Sequence, residues 1–185
     1  MRRTIVALCA LSLMVAGASA SSGAPKYKRL GEDAELDAPP GLDLTYLEVA
    51  KVGKAVDMRF GISGMFPPGG GYPLLPGIEW TFTTGPRTFV AEAVATTNTT
   101  GAFYLFEVKP DGSFVQLESP TGTYNYADGF ASVRVPLKAI GAKRGTTLRG
   151  AHIEGPDGDV DAHVHVGPLT HYADAFHTES AYKIP

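Results

Sequence analysis

Cysteine is nearly missing from this chain. Of 185 residues only Cys9 carries a thiol, and it lies in an apolar N-terminal run. The rest of the chain can form no disulfide, no thiolate metal centre and no cysteine nucleophile. Basic runs are missing too: 16 Lys and Arg stand against 19 Asp and Glu, scattered along the sequence. That balance disfavours nucleic acid as a partner. No basic amphipathic stretch suits a membrane surface. No apolar run reaches the roughly 20 residues of a membrane-spanning helix. Helical periodicity is scarce as well, never holding for more than about two turns.

The N-terminus has the form of a secretory signal peptide. Arg2 and Arg3 precede an apolar run from Ile5 to Gly17, and Ala18-Ser19-Ala20 fits a small-residue cleavage signature. Residues 1–20 are therefore expected to be removed and the protein secreted into an extracellular space. Losing Arg2 and Arg3 takes the basic count from 16 to 14 against 19 acids, and the formal charge from −3 to −5. Residues 21–40, rich in small, charged and proline residues, are expected to form a flexible arm. Residues 41–185 are expected to form one domain, long enough for a sizeable core without disulfides.

Within that domain alternation dominates. Val56, Met58, Phe60 and Ile62 alternate with Asp57, Arg59 and Gly61, and Ile78, Trp80 and Phe82 alternate with Glu79 and Thr81. Phe89, Ala91, Ala93 and Ala95 form another row, as do Ala131, Val133 and Val135. Gly53-Lys54, Gly85-Pro86 and Pro110-Asp111-Gly112 fall where hairpins turn. Leu137 to Gly141 suggests one short helical turn ended by glycine. Gly64 to Gly77 is a Gly- and Pro-rich loop, and Asn98-Thr99-Thr100 fits a glycosylation sequon. Many short strands at regular spacing predict an all-β fold, a single antiparallel β-sandwich of jelly-roll or immunoglobulin-like type.

Potential ligands converge between Gly155 and Gly167. Asp157, Asp159, Asp161, His163 and His165 stand at every second position, and all five histidines lie between His152 and His177. On one strand face His163 and His165 would be about 7 Å apart, close enough for two imidazoles to share Zn²⁺ or Cu²⁺. Asp161, His152 or His171 could supply a third ligand. The run Asp157-x-Asp159-x-Asp161 equally suits a structural Ca²⁺, although the glycine and glutamate of an EF-hand are absent. The alternative is a solvated hairpin with an acidic turn. The stretch is expected to be half of a hairpin, with Thr146 to Glu154 as its partner.

Tyr72, Tyr124 and Tyr126, beside turns, are candidate stacking platforms for a sugar ligand. Trp80 shares a face with Ile78 and Phe82 and is assigned to the core. No serine sits in a nucleophile elbow, and no glycine loop is followed by the lysine of a phosphate cradle. The expectation is a non-enzyme, a binding module for an extracellular polysaccharide or cell-surface component. The alternative is an exported divalent-metal-binding protein using residues 157–165.

Three features carry a family resemblance: the entry Gly41-Leu42-Asp43-Leu44-Thr45 before a hairpin, the segment Val133-Arg134-Val135-Pro136-Leu137 with Ile140-Gly141 and Gly145 behind it, and the ending Ala173-Asp174-Ala175 followed by Tyr182. Over Gly41 to Pro185 the chain resembles the β-sandwich modules grouped with family 9 carbohydrate-binding domains and their haem-binding, DOMON-like relatives. It also resembles domains appended to secreted bacterial proteases. The resemblance implies a jelly-roll-like sandwich, often with structural calcium. The family's sugar-clamping tryptophan pair is not evident in this chain, whose one tryptophan is Trp80. The haem-binding relatives use Met and His axial ligands, whereas here Met58 sits on an apolar strand face and Met65 in a loop.

Overall fold

The structure, a computed structural model, describes residues 24–33, 38, 42–65, 76–95, 101–118, 120–151, 153–155, 158–160, 162–166, 172–176, 178 and 180–185. Its first five strands are β1 (Lys28–Glu32), β2 (Asp43–Val52), β3 (Ala55–Ser63), β4 (Pro76–Thr84) and β5 (Arg87–Ala95). Then come β6 (Gly101–Val108), β7 (Phe114–Gln116), β8 (Thr121–Asn125), β9 (Phe130–Pro136) and β10 (Thr147–Gly150). The last are β11 (Ile153–Gly155), β12 (Gly158–Val160), β13 (Ala162–Val166), β14 (Tyr172–Phe176) and β15 (Tyr182–Lys183). Among the described residues there is no helix, and so none long and apolar enough to cross a membrane.

Two antiparallel sheets pack face to face into a single-domain β-sandwich. One runs β1-β2-β3-β9-β8. The other runs β14-β13-β4-β5-β6-β7, with β10 and β15 continuing along the β4 edge. A small β11-β12 ribbon stands apart. The alternating rows build the core. Val56, Met58, Phe60, Val133 and Val135 from one sheet and Ile78, Trp80, Phe82, Phe89 and Leu105 from the other are all 0% exposed. Trp80 stacks on Phe82 with centroids 4.7 Å apart, and Phe82 on Phe89 at 5.7 Å. In the ladder Trp80 lies opposite Ala91 on one side and Ala162 on the other. Small residues flank the largest ring, which is how a core reaches crystal-like density.

Turn chemistry sets the register of the two main hairpins. Gly53 and Gly85 have φ of 59° and 60° at the first position of two-residue connections, as a type II′ turn requires. At 110–112 the expected hairpin joins β6 to β7.

Three expectations are corrected. Residues 28–32 lie in the stretch read as a loose arm, yet they form an edge strand of the first sheet. Leu30, only 1% exposed, anchors it, and the Ser180 amide donates to the Leu30 carbonyl. One apolar side chain is too faint a pattern to reveal such a strand. β13 pairs with β4 and β14 and not with residues 146–154, where β10 pairs with β4 and β15 instead. The turn at Gly155 to Gly158 closes only the short β11-β12 ribbon. Residues 137–141 form hydrogen-bonded turns without a helix, ending where Gly141 adopts φ 64°.

Candidate functional site

The outer face of the five-stranded sheet collects the polar residues that alternate with the core. Three cross-strand rows cross it. Asn125, Phe130, Gly61 and Tyr46 form the first. The second is Thr123, Ser132, Arg59, Glu48 and Arg29, and the third is Thr121, Arg134, Asp57 and Ala50. Residues directly opposite in antiparallel strands stand about 5 Å apart, so each row is a line of touching side chains.

Gly61 shows how the first row is made. A Cβ there would lie 2.0 Å from the Tyr46 ring, so only glycine lets that ring lie on the sheet. Arg29 then sits 4.1 Å from the Tyr46 centroid. It also donates to Glu48 from Nη2 at 2.7 Å and from Nε at 3.2 Å. Glu48, the register neighbour of Arg59, is thereby held by another arginine.

Arg59 is clamped between rings. Its guanidinium carbon lies 3.9 Å from the Tyr27 centroid and 4.6 Å from that of Phe130. Its Nε is buried and has no hydrogen-bond acceptor among the described residues. Tyr27, just before β1, also donates its hydroxyl to Asp57 Oδ2, and Arg134 Nε donates to Asp57 Oδ1 at 3.2 Å. Asp57 is only 2% exposed although it faces outward, because Tyr27 covers it. The ion pair with half-exposed Arg134 is worth under about 1 kcal/mol. Each ring contact of Arg59 is worth about 1 kcal/mol. Stacking, more than ion pairing, therefore fixes this corner.

Between these groups runs a groove of about 250 Å³. Asp57 and Arg59 of β3 line one side and Thr121 and Thr123 of edge strand β8 the other, with Phe130, Ser132 and Arg134 of β9 between them. Both threonines are exposed. Two arginines and one aspartate leave the lining with a net positive charge. Every residue lies on a strand of the rigid sandwich, so the arrangement is held in place before any ligand arrives.

Burial pushes the Tyr27 phenol up from its ordinary 10.0 to about 12; the hydrogen bond to Asp57 and that carboxylate's charge add to the shift, while Arg59 and Arg134 oppose it. A raised folded-state pKa means the Tyr27 interaction stabilises fully below pH 10 and is lost as pH rises through about 12. The tyrosinate absorbance difference between wild type and Tyr27→Phe should therefore titrate near pH 12. A midpoint near 10 would show that the phenol is not held by Asp57.

The sequence-predicted sites fare differently. Tyr124 packs against Phe103 and Tyr126, with centroids 6.1 Å and 5.9 Å away, and adjoins the core. Its hydroxyl and that of Tyr126 are buried without a partner among the described residues. Burial raises the pKa of both, Tyr124 far more. Tyr124 is built into the seam between the sheets, and Tyr126, half-buried beside the turn, stacks on it. Tyr72, Asp157 and Asp161 lie outside the described residues. So do the side chains of Asp159, His163 and His165, although β12 and β13 place their backbones. The register sets His163 opposite Glu79, and Glu79 opposite Glu92. Among the described residues no three His, Cys, Asp or Glu groups gather to hold a metal.

No family model, curated protein or solved structure matches the chain.

Tyr27, Arg59, Arg134, Thr121 and Thr123 were not singled out by sequence reasoning. The outward alternation of Asp57 and Arg59 between apolar residues was the available signal. A second surface also escaped it. On the outer face of the eight-stranded sheet Tyr104 stacks with Phe106 at 6.0 Å, and Phe106 meets Phe114 edge-on at 6.3 Å. Phe114 is 55% exposed. Only apolar and aromatic groups make up this strip, whereas the groove combines a ring, hydroxyls and fixed charges.

Proposed function

We propose that the chain is a secreted, non-catalytic binding module, and that its ligand, an extracellular polysaccharide or other cell-surface polymer, lies along the groove of the five-stranded sheet. The observation that carries this reading is the mix of groups in one preformed trough. Hydroxyls that both donate and accept stand beside an aromatic ring and two guanidinium donors. Such a set matches the hydroxyl-rich edges and apolar faces of sugars. Non-catalytic binding is favoured because, among the described residues, Asp57 is the one carboxylate lining the groove and it is buried under Tyr27. A general acid and base working as a pair need two.

Retention on insoluble polysaccharides tests the proposal. The double variant Thr121→Ala/Thr123→Ala should lose about tenfold in affinity, two modest hydrogen bonds' worth. Its melting temperature should stay put, since both side chains are exposed. Unchanged retention, or loss only in Tyr104→Ala/Phe114→Ala, would place the ligand elsewhere and sink the proposal.

A second reading, an exported divalent-metal-binding protein using residues 157–165, is supported by the alternate spacing of Asp157, Asp159, Asp161, His163 and His165 in the sequence. Imidazole with carboxylates suits Zn²⁺. Equilibrium dialysis should then find stoichiometric Zn²⁺ that His163→Ala abolishes. Uptake that survives this substitution, or no uptake at all, eliminates the reading.

A further inference from the structure

We infer that the polymer is acidic, and that a carboxylate or sulfate group on it seats between Arg59 and Arg134. This rests on the binding function proposed above and adds the ligand's charge.

Arg59 lies opposite Ser132 and Arg134 opposite Asp57 on adjacent strands, so the two arginines are diagonal neighbours, roughly 7 Å apart at the backbone. Both line the same groove. Like charges so close are costly unless an anion lies between them. Asp57 meets only part of that need, since its described bonds go to Tyr27 and to Arg134 Nε, beneath the groove surface. Glu48, the other nearby acid, is held by Arg29.

A guanidinium stacked between Tyr27 and Phe130 has lost its rotamer freedom already, so binding costs little further entropy. The two ring contacts fix the guanidinium in place, and its buried Nε–H, which has no acceptor among the described residues, is a donor that an anion could match. The planar fork of a guanidinium is the geometry that takes carboxylate or sulfate in paired hydrogen bonds. Arg134, with 48% of its side chain exposed, can approach the same anion from the next strand. Thr121, Thr123 and Ser132 would serve the neutral hydroxyls of the same chain.

Polygalacturonate and its carboxyl-reduced derivative share a backbone and differ in charge, which makes them the test pair; dextran sulfate against dextran asks the same of sulfate. Calorimetric titration of the full mature chain should show binding to one of the acidic polymers. Its neutral counterpart should bind at least tenfold more weakly, and added salt should weaken the acidic complex. Arg59→Gln and Arg134→Gln should each cost about tenfold to a hundredfold, as loss of a charge-assisted pair does. Arg87→Gln, whose guanidinium belongs to the Glu107 ion pair on the other sheet, should cost nothing. If Arg59→Gln loosens the fold, Arg134→Gln still decides, because that side chain is half exposed. Equal binding of charged and neutral polymers, with Thr121→Ala/Thr123→Ala still weakening both, would overturn the anion site and keep the binding module. Binding to none of the four, or indifference to every groove variant, would overturn both.

Discussion

Trp80→Ala should cost about 4 kcal/mol of folding stability, the usual range for deleting a wholly buried large aromatic. Trp80 is 0% exposed, stacks on Phe82 and lies between two alanines that cannot expand to fill the space. Against a typical total of roughly 5–15 kcal/mol, that loss threatens the fold itself. In thermal unfolding the midpoint should fall by roughly 10 °C. Trp80→Phe gives a sharper check. The indole Nε1–H is buried with no acceptor among the described residues. A buried unmade hydrogen bond costs roughly 1–3 kcal/mol, so removing that donor offsets much of the cavity that phenylalanine leaves. The expected loss is below about 1.5 kcal/mol. A Trp80→Phe loss as large as that of Trp80→Ala would mean that the indole N–H has a partner and that volume alone does not set the cost.

Gly122→Ala is the second large effect. A Cβ at Gly122 would meet the Ser132 carbonyl oxygen at 2.3 Å and the Phe103 ring at 2.4 Å. The carbonyl belongs to the backbone of β9, so relief requires β8 to shift away from its one sheet neighbour among the described residues. Overpacking of this kind costs typically 1–3 kcal/mol, and an edge strand held on one side is the element that gives way. Gly112→Ala is the matched control. Gly112 has φ 81° but nothing within 4 Å of the added carbon, so it suffers only the left-handed backbone penalty, about 1 kcal/mol. Chemical denaturation should rank Gly122→Ala as the more damaging of the two. The reverse order would mean that β8 is loosely attached, and with it the Thr121–Thr123 wall of the groove.

Strands with a clean period of two were legible from sequence: β3, β4, β5 and β9 each put apolar residues on one side, and glycine marked the turns between neighbours. Strands without that contrast were not. β8 reads Thr-Gly-Thr-Tyr-Asn, and its core-side positions are a glycine and a tyrosine; β1 carries one large apolar residue in Lys-Arg-Leu-Gly-Glu. The groove was hidden for a different reason. Asp57 and Arg59 read plainly as outward residues, but the partners that give them meaning arrive from β9, some seventy positions later, and from β8 beyond it. Local pattern tells which way a side chain points, and register across non-consecutive strands tells which side chains meet. Tyr124 shows the converse: beside a turn it reads as exposed, and only the close approach of β8 to β6 at Gly122 and Phe103 carries it inward.

The most direct test of the groove as the binding surface is backbone amide NMR of the protein titrated with a short oligosaccharide, galacturonate or sulfated, of the acidic polymer that binds. Shift changes should cluster at Arg59, Thr121, Thr123, Ser132 and Arg134, on three adjacent strands of one sheet, and in Arg134→Gln should need about tenfold to a hundredfold more ligand. Changes confined to the eight-stranded sheet, or none at saturating ligand, would contradict the account.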